Sequence, residues 1–292
     1  MTSRPDEKLR RRPLLMWGIP GAVIALLLVA ATLFDDVWRE KPMSVPGNVV
    51  STADREQLFA VQRTRVFFGH QSVGENILDG VSAVYQRSGI TAPPIEENAT
   101  TPGPEGGFIS HAFIGENGNP LLKIQDFADT LRGGLAERID VALMKFCFID
   151  INSRTDVDAL FAAYRDTISA LERDYPGVTF VHVTMPLTTD SSIKNRIKIM
   201  LGGDDSYGQG ENVARERYNE LLRAEYGDRH LFDLAAVEST APSGERTQLR
   251  YRDQPYYALQ PGYASDMGHL NAAGSEIAAT AFLQAIADAG GR

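Results

Sequence analysis

The sequence predicts an α/β fold, a doubly wound and mostly parallel sheet flanked by helices and preceded by one N-terminal transmembrane helix. Three observations predict it. Apolar runs typical of buried strands alternate with segments of helical spacing along residues 61–292. The run from Asp140 to Ile151 is almost continuously apolar, as expected for a parallel strand covered on both faces. Residues 14–34 carry no charge, and at about 1.5 Å per residue they are long enough to cross a hydrocarbon core of roughly 30 Å.

The N-terminus predicts where the rest of the chain lies. Basic residues are expected to stay on the cytoplasmic side of a membrane segment, and here they precede the apolar run while an acidic pair follows it: Lys8, Arg10, Arg11 and Arg12, then Asp35 and Asp36. We therefore expect a cytoplasmic segment at residues 1–13, an uncleaved anchor at 14–34 and a juxtamembrane spacer at 35–60. A cleaved signal peptide is the alternative, but its apolar region is usually about 7–15 residues. Both interpretations place residues 61–292 outside the cytoplasm.

The predicted strands are short runs of β-branched, aromatic and aliphatic residues that end at a glycine or a polar residue. The first, Arg65–Phe68, ends at Gly69. The others follow in chain order at Phe108–Ile114, Asp140–Ile151, Val178–Met185 and Leu231–Leu234.

The predicted helices have apolar residues spaced three and four apart. In the first, Ser72–Gln86, these are Val73, Ile77, Val81 and Val84. The others lie at Pro120–Leu131, Val157–Asp174, Glu211–Tyr226 and Ala272–Ala287. Polar and turn-forming residues between these elements predict three long loops, at residues 91–107, 188–212 and 239–265.

Composition excludes several classes of partner and cofactor. The net charge is -9, and no basic stripe follows the N-terminal cluster, so a nucleic-acid partner is not expected. The single cysteine, Cys147, excludes an intramolecular disulfide and a cysteine-based metal cluster, and its apolar neighbours predict a buried, inert thiol. Neither a metal-ligand spacing nor a nucleotide-binding glycine motif is present, so we expect no metal and no cofactor.

Catalytic groups of doubly wound sheets lie beyond the carboxyl ends of the strands. Ser72 follows the first strand and opens a helix, whose dipole and unpaired amides favour negative charge developing beside it. Asp266 precedes His269 by three residues, just ahead of the last helix. A serine becomes a nucleophile when an imidazole takes its proton and a carboxylate orients that imidazole. The structural alternative is that Ser72 only caps its helix and that the segment before Asn271 is a surface turn.

The closing segment DMGHLNAAGSEIAATAF, residues 266–282, resembles the last block of the SGNH (GDSL-like) hydrolases. A serine after the first strand, and a glycine and an asparagine in the middle of the chain, extend this resemblance to about residues 64–288. Gln71 stands before the serine where the family has an aspartate. The resemblance implies a Ser-His-Asp triad of Ser72, His269 and Asp266.

The same resemblance implies an oxyanion hole made from the serine amide, a glycine amide and an asparagine side chain. These map onto Ser72, Gly115 and either Asn117 or Asn152. Three residues near these blocks are candidates for contacts with the substrate: His70, Gln71 and His111.

Together these features predict a membrane-anchored, extracytoplasmic serine esterase that acts on an O-acyl ester. Its location favours a cell-envelope glycan or a related small-molecule ester as substrate. An O-acetyltransferase would use the same triad with a glycan hydroxyl in place of water as acceptor. A catalytically silent SGNH-like module that binds glycans or acts as a scaffold is the third possibility. The sequence does not predict the oligomeric state.

Overall fold

A six-stranded parallel sheet runs through the part of the chain that the computed structural model describes, which is residues 43–47, 50–98, 102–190, 208–227 and 229–291. In chain order the strands of this part are β1 Met43–Pro46, β2 Arg65–His70, β3 Ile95–Glu97, β4 Phe108–Phe113, β5 Val141–Met144, β6 Thr179–Val183, β7 Leu231–Phe232, β8 Glu245–Tyr251 and β9 Gln254–Tyr256. The large sheet has the order β3-β4-β2-β5-β6-β7, and every pair in it is parallel. The prediction of a mostly parallel sheet flanked by helices is therefore confirmed.

The five predicted helices begin and end close to the predicted positions, whereas two further helices of the described residues, Arg55–Arg63 and Leu234–Ser239, were not predicted, and the first of them begins inside the predicted spacer, residues 35–60. In chain order the helices of the described residues are α1 Arg55–Arg63, α2 Ser72–Ser88, α3 Pro120–Thr130, α4 Val157–Asp174, α5 Gln209–Tyr226, α6 Leu234–Ser239 and α7 Ala272–Gly290. At the N-terminus of most of these helices, an N-cap side chain accepts a hydrogen bond from a backbone N–H of the first turn. Asn271, for example, accepts from the Gly274 N–H at 3.0 Å and begins α7.

The core lies on both faces of the large sheet. Successive side chains of a strand point to opposite faces, and β2 follows this rule. Val66 and Phe68 face a cluster formed with α2 and α7, whereas Phe67 faces a second cluster formed with α3, α4 and α5. Because both faces are covered, a continuous apolar run can form a central strand.

The strand predicted at Asp140–Ile151 is shorter than expected. Strand β5 ends at Met144, and the chain continues as a loop with a short 3₁₀ turn at Phe148–Asp150. Most of this loop is as buried as the strand itself. Its apolar residues belong to the two core clusters, so burial alone could not distinguish the loop from a strand.

A small antiparallel sheet, in the order β1-β8-β9, was not predicted. Its strand β1 lies in the predicted spacer, residues 35–60, where Met43–Pro46 pairs with Glu245–Gln248 of β8. Strands β8 and β9 lie in the predicted loop 239–265. The segment at Leu231–Leu234 also differs, because β7 ends at Phe232 and α6 begins at Leu234.

The predicted membrane anchor, residues 14–34, and the cytoplasmic segment before it lie outside the described residues. Among the residues that the structure does describe, none of the helices has the length and apolar character needed to span a bilayer.

Candidate active site

The candidate nucleophile stands where β2 meets α2. Gln71 is the N-cap of this helix and Ser72 is its first residue. The Ser72 hydroxyl does not cap the helix; it lies 2.9 Å from Nε2 of His269, a residue 197 positions further along the chain. Gly74 permits this turn, because a Cβ at that position would come within 2.3 Å of the His70 ring.

The turn from Asp266 to His269 holds the imidazole in place. Asp266 Oδ1 accepts from the backbone N–H groups of Gly268 and His269, each at 2.8 Å. Its other oxygen, Oδ2, lies 2.7 Å from His269 Nδ1. A carboxylate can only accept, so Nδ1 carries the ring proton and Nε2 of the neutral ring accepts from the Ser72 hydroxyl. The structure therefore brings Ser72, His269 and Asp266 into one hydrogen-bonded chain.

Electrostatics keep Asp266 in its charged form. Burial acts to raise the pKa of Asp266, but the hydrogen bonds from the two backbone N–H groups and from the imidazole outweigh it and lower the pKa. The carboxylate is thus ionised at neutral pH. An ionised carboxylate stabilises the imidazolium that forms when His269 takes a proton.

Four contacts dock this turn against the rest of the domain. Ala264 and Leu270 form an antiparallel bridge that closes the loop around it. The Leu270 N–H donates to Asn76 Oδ1 of α2 at 3.2 Å, and the Met267 carbonyl accepts from the Thr189 N–H at 2.9 Å. The Phe148 ring stands edge-on to the His269 imidazole, with ring centroids 5.5 Å apart. Sequence analysis did not identify Asn76, Thr189 and Phe148 as positioning residues, because each of them contacts the turn across a long separation in the chain.

The three residues proposed as substrate contacts serve the architecture of the turn. His70 is fully buried, and its nitrogens lie 2.9 Å from the Gln71 carbonyl oxygen and 3.0 Å from His111 Nδ1. Burial lowers the pKa of His70 to about 3, so the ring is neutral. The Gln71 side chain donates to the carbonyl of Ile114 at 2.9 Å. His70 is therefore not available to a substrate in this structure, whereas Gln71 and His111 are both partly exposed.

Gly115 is glycine for a structural reason. Its φ is +52°, and a Cβ there would lie 2.8 Å from the Lys123 backbone nitrogen. Its own N–H donates to Asp126 Oδ2 at 2.8 Å. The amide expected to bind an oxyanion is thus already occupied, and Gly115 is not an available donor in this structure.

The two candidate asparagines are held differently. Asn117 is exposed, and its Oδ1 accepts from Lys123 Nζ at 2.9 Å. Asn152 accepts with its Oδ1 from the Arg154 N–H at 2.9 Å, within the turn that leads to α4. Lys123 was missed by sequence analysis, since it lies on a predicted helix where a lysine is expected to face solvent.

No family model matches this chain, and no curated protein matches it. One solved structure similar to it is provisionally described as a platelet activating factor from Streptococcus pneumonia, with 12% identity, a TM-score of 0.42, and coverage of 89% of this chain and 97% of that one. Another is provisionally described as a lipolytic protein of the G-D-S-L family from Desulfitobacterium hafniense DCB-2, with 13% identity, a TM-score of 0.37, and coverage of 76% and 99%.

At this identity and TM-score, neither likeness transfers an activity to this chain. Among the described residues, no group of three or more histidine, cysteine, aspartate and glutamate side chains is placed to hold a metal ion.

Proposed function

We propose that this protein is a serine ester hydrolase in which Ser72 is the nucleophile, His269 the general base and acid, and Asp266 the residue that orients the imidazole. The observation that carries the proposal is the chain of two hydrogen bonds, 2.9 Å and 2.7 Å long, that joins these three side chains. Such a chain between a nucleophile, a base and an orienting carboxylate is recognised by its geometry and not by its position in a sequence.

The mechanism is a two-step acyl transfer. His269 Nε2 removes the proton of the Ser72 hydroxyl, and Oγ attacks the carbonyl carbon of the ester. As the tetrahedral intermediate collapses, the imidazolium returns the proton to the departing alcohol, and the acyl group remains on Ser72. A water molecule then attacks the acyl-enzyme with His269 again as base, which releases the acid and restores the serine.

We propose further that the substrate is an O-acyl ester of a cell-envelope glycan or a related envelope component. This part rests on the sequence alone, on the basic cluster and the uncharged segment at residues 14–34 that favour export of the domain. Protease accessibility of the domain in sealed, oriented membranes tests the location. Release of acetate from acetylated envelope glycans tests the substrate.

A fluorophosphonate probe, which phosphonylates activated serines, tests the catalytic assignment. We expect one adduct on the purified full-length chain, located at Ser72 by peptide mass spectrometry and absent from Ser72→Ala. Ser88→Ala is the matched control, because Ser88 lies at the other end of α2 and its hydroxyl donates to the Val84 carbonyl. A folded wild-type chain that takes up no label would contradict the hydrolase and favour a silent binding module.

A further inference from the structure

Arg215 is a fully buried side chain of α5 that joins separate segments of the chain. Its Nε donates to the Phe148 carbonyl at 2.8 Å, and its Nη1 donates to Thr188 Oγ1 at 2.9 Å and to Asn212 Oδ1 at 2.7 Å. A guanidinium presents its donors in a rigid planar fork, so one side chain can hold acceptors of several segments at fixed positions. Burying a charge is costly, and a net gain in stability does not follow from it. The segments that Arg215 joins are therefore the more informative observation.

One of these segments is the loop after β5, which supports the catalytic turn at Phe148. The Phe148 ring lies edge-on to the His269 imidazole, with ring centroids 5.5 Å apart. The same ring lies against Gly268, because a Cβ at Gly268 would come within 2.5 Å of Phe148 Cε1. By holding the Phe148 carbonyl, Arg215 fixes the backbone from which this ring reaches the turn.

The other segment follows β6 and supports the same turn at Thr189. A side chain of α5 holds its backbone: the Thr188 N–H donates to Asn212 Oδ1 at 3.2 Å, and the Thr188 carbonyl accepts from Asn212 Nδ2 at 2.9 Å. The next residue, Thr189, donates its N–H to the Met267 carbonyl at 2.9 Å. Because Arg215 Nη1 bonds both Asn212 and Thr188, it holds this second support as well.

The two supports contact the turn between its two members of the triad, at Met267 and at Gly268. The bonds of Asp266 orient the imidazole within the turn, but they do not fix the distance between the turn and Ser72. That distance depends on the contacts that dock the turn against the domain. Two of these contacts lead to Arg215.

We infer that Arg215 is a positioning residue of the active site, which holds the loops after β5 and β6 so that His269 stays within hydrogen-bonding distance of Ser72. The inference rests on the proposed hydrolase. A general base acts only within hydrogen-bond reach of the proton that it removes. A displacement of about 1 Å caused by a remote substitution can lower the rate about 100-fold. Arg215 thus acts on proton transfer through Phe148 and Thr188.

Substitution of Arg215 tests this role. For Arg215→Met we expect kcat with p-nitrophenyl acetate to fall about 100-fold while KM changes less than about threefold, because proton transfer is impaired and substrate binding is not. The rate of fluorophosphonate labelling at Ser72 should fall in parallel. Arg223→Met is the matched control, because Arg223 lies on the same helix and its ion pairs with Asp233 and Glu216 involve neither support. Its kcat should stay within about threefold of wild type.

A double-mutant cycle with His269 distinguishes positioning of the base from general support of the fold. His269→Ala removes the base and should lower kcat at least about 10⁴-fold. Once the base is absent, its distance from Ser72 no longer affects the rate. If Arg215 acts through His269, adding Arg215→Met to His269→Ala therefore causes no further loss of kcat. A second loss of about 100-fold in the combined variant would overturn the inference.

The outcomes separate this inference from the proposed function. If wild type is labelled at Ser72 and His269→Ala loses activity, but folded Arg215→Met keeps its kcat, the hydrolase stands and the positioning role is overturned. A folded wild type that takes no label would overturn the proposed function itself.

Arg215→Lys decides the question where Arg215→Met does not fold, as shown by its thermal unfolding midpoint. Lysine keeps the buried charge, but a single ammonium group does not reproduce the fork that holds the Phe148 carbonyl and Thr188 Oγ1 at separate positions. We expect folded Arg215→Lys to lose kcat with KM little changed. A folded lysine variant with wild-type kcat would contradict the positioning role.

Discussion

The turn that carries Asp266 and His269 is open to solvent, whereas the Lys123–Asp150 pair is enclosed completely. Side-chain exposure is 57% for Asp266 and 33% for His269, compared with 0% for both members of the buried pair. The two regions also differ in the reach of their bonds. Asp266 bonds groups within three residues of itself, while Asp150, besides Cys147 in its own loop, bonds Lys123, 27 residues away, and the Gly118 N–H, 32 residues away.

The contrast in exposure separates residues whose substitution affects activity from residues whose substitution affects stability. An exposed carboxylate and imidazole lose little hydration on folding, so they can be replaced without leaving an unpaired charge in the interior. A buried ion pair has lost its hydration, and removing one partner leaves the other uncompensated. We therefore expect substitutions in the turn to change activity much more than stability, and substitutions in the pair to change stability strongly.

The largest effect expected is on catalysis. Asp266→Asn should lower kcat about 10⁴-fold, because an amide in place of the carboxylate favours the wrong imidazole tautomer and does not stabilise the imidazolium. The thermal unfolding midpoint should shift by no more than about 2 °C, as for other exposed substitutions. Steady-state hydrolysis of p-nitrophenyl acetate and a thermal melt measure both quantities.

Asp79→Asn, an exposed aspartate on α2, is the control and should retain wild-type kcat. If Asp266→Asn destabilised the domain as much as it slowed catalysis, the turn would be a structural element and the contrast between the two regions would fail.

The next effect is on stability. Lys123→Met should reduce the free energy of unfolding by about 3–5 kcal/mol, because Asp150 loses its partner in a site from which solvent is excluded. Arg217→Met is the matched control, since Arg217 and Asp158 form a pair of 3.0 Å with side chains 52% and 70% exposed. An exposed pair contributes less than about 1 kcal/mol. Urea unfolding of the two variants gives the comparison, and equal losses would contradict it.

A second buried carboxylate, that of Glu238, allows the effect of burial on stability to be measured as a function of pH. Glu238 is 1% exposed and accepts from the Leu187 N–H at 2.7 Å. Within the described part of the chain its Oε1 has no hydrogen-bond partner. Burial raises the pKa of Glu238 to about 8. The folded state therefore keeps a proton on Glu238 that the unfolded chain loses above its ordinary pKa of about 4.3.

The sign of the pH effect follows from this proton. Between about pH 5 and pH 8 the folded state binds more protons, so this group makes the free energy of unfolding fall as pH rises, by at most about 1.4 kcal/mol per pH unit. Glu238→Gln should remove this slope, because glutamine does not titrate and its carbonyl still accepts from Leu187. We expect the stability difference between variant and wild type to grow from pH 5 to pH 8. An equal difference in the free energy of unfolding at pH 5 and pH 8 would contradict the prediction.

How much of the fold and of the candidate site could be predicted depended on how far apart in the sequence the interacting residues lie. Asp266 and His269 were identified because their bond closes within a single turn, and the parallel sheet because its buried strands are apolar runs. Lys123 could not be predicted as buried, because its helix has ordinary helical spacing and its partner belongs to another loop. The apolar character of residues 145–151 likewise shows burial but not conformation, which is why β5 was predicted too long.

The smallest effect returns to the exposed turn, where Asn271 follows His269 and begins α7. Its Oδ1 accepts from the Gly274 N–H, and its Nδ2 donates to the Gly262 carbonyl at 2.8 Å. Asn271→Ala should lower the free energy of unfolding by about 1 kcal/mol, whereas Asn271→Ser keeps the cap and should lose less. Because the cap sets the start of α7 and the Leu270 N–H is held by Asn76, kcat should fall less than about threefold in either variant. Urea unfolding and steady-state kinetics measure the two effects, and a large loss of kcat in Asn271→Ser would mean that the cap, and not the bonds of Asp266, orients His269.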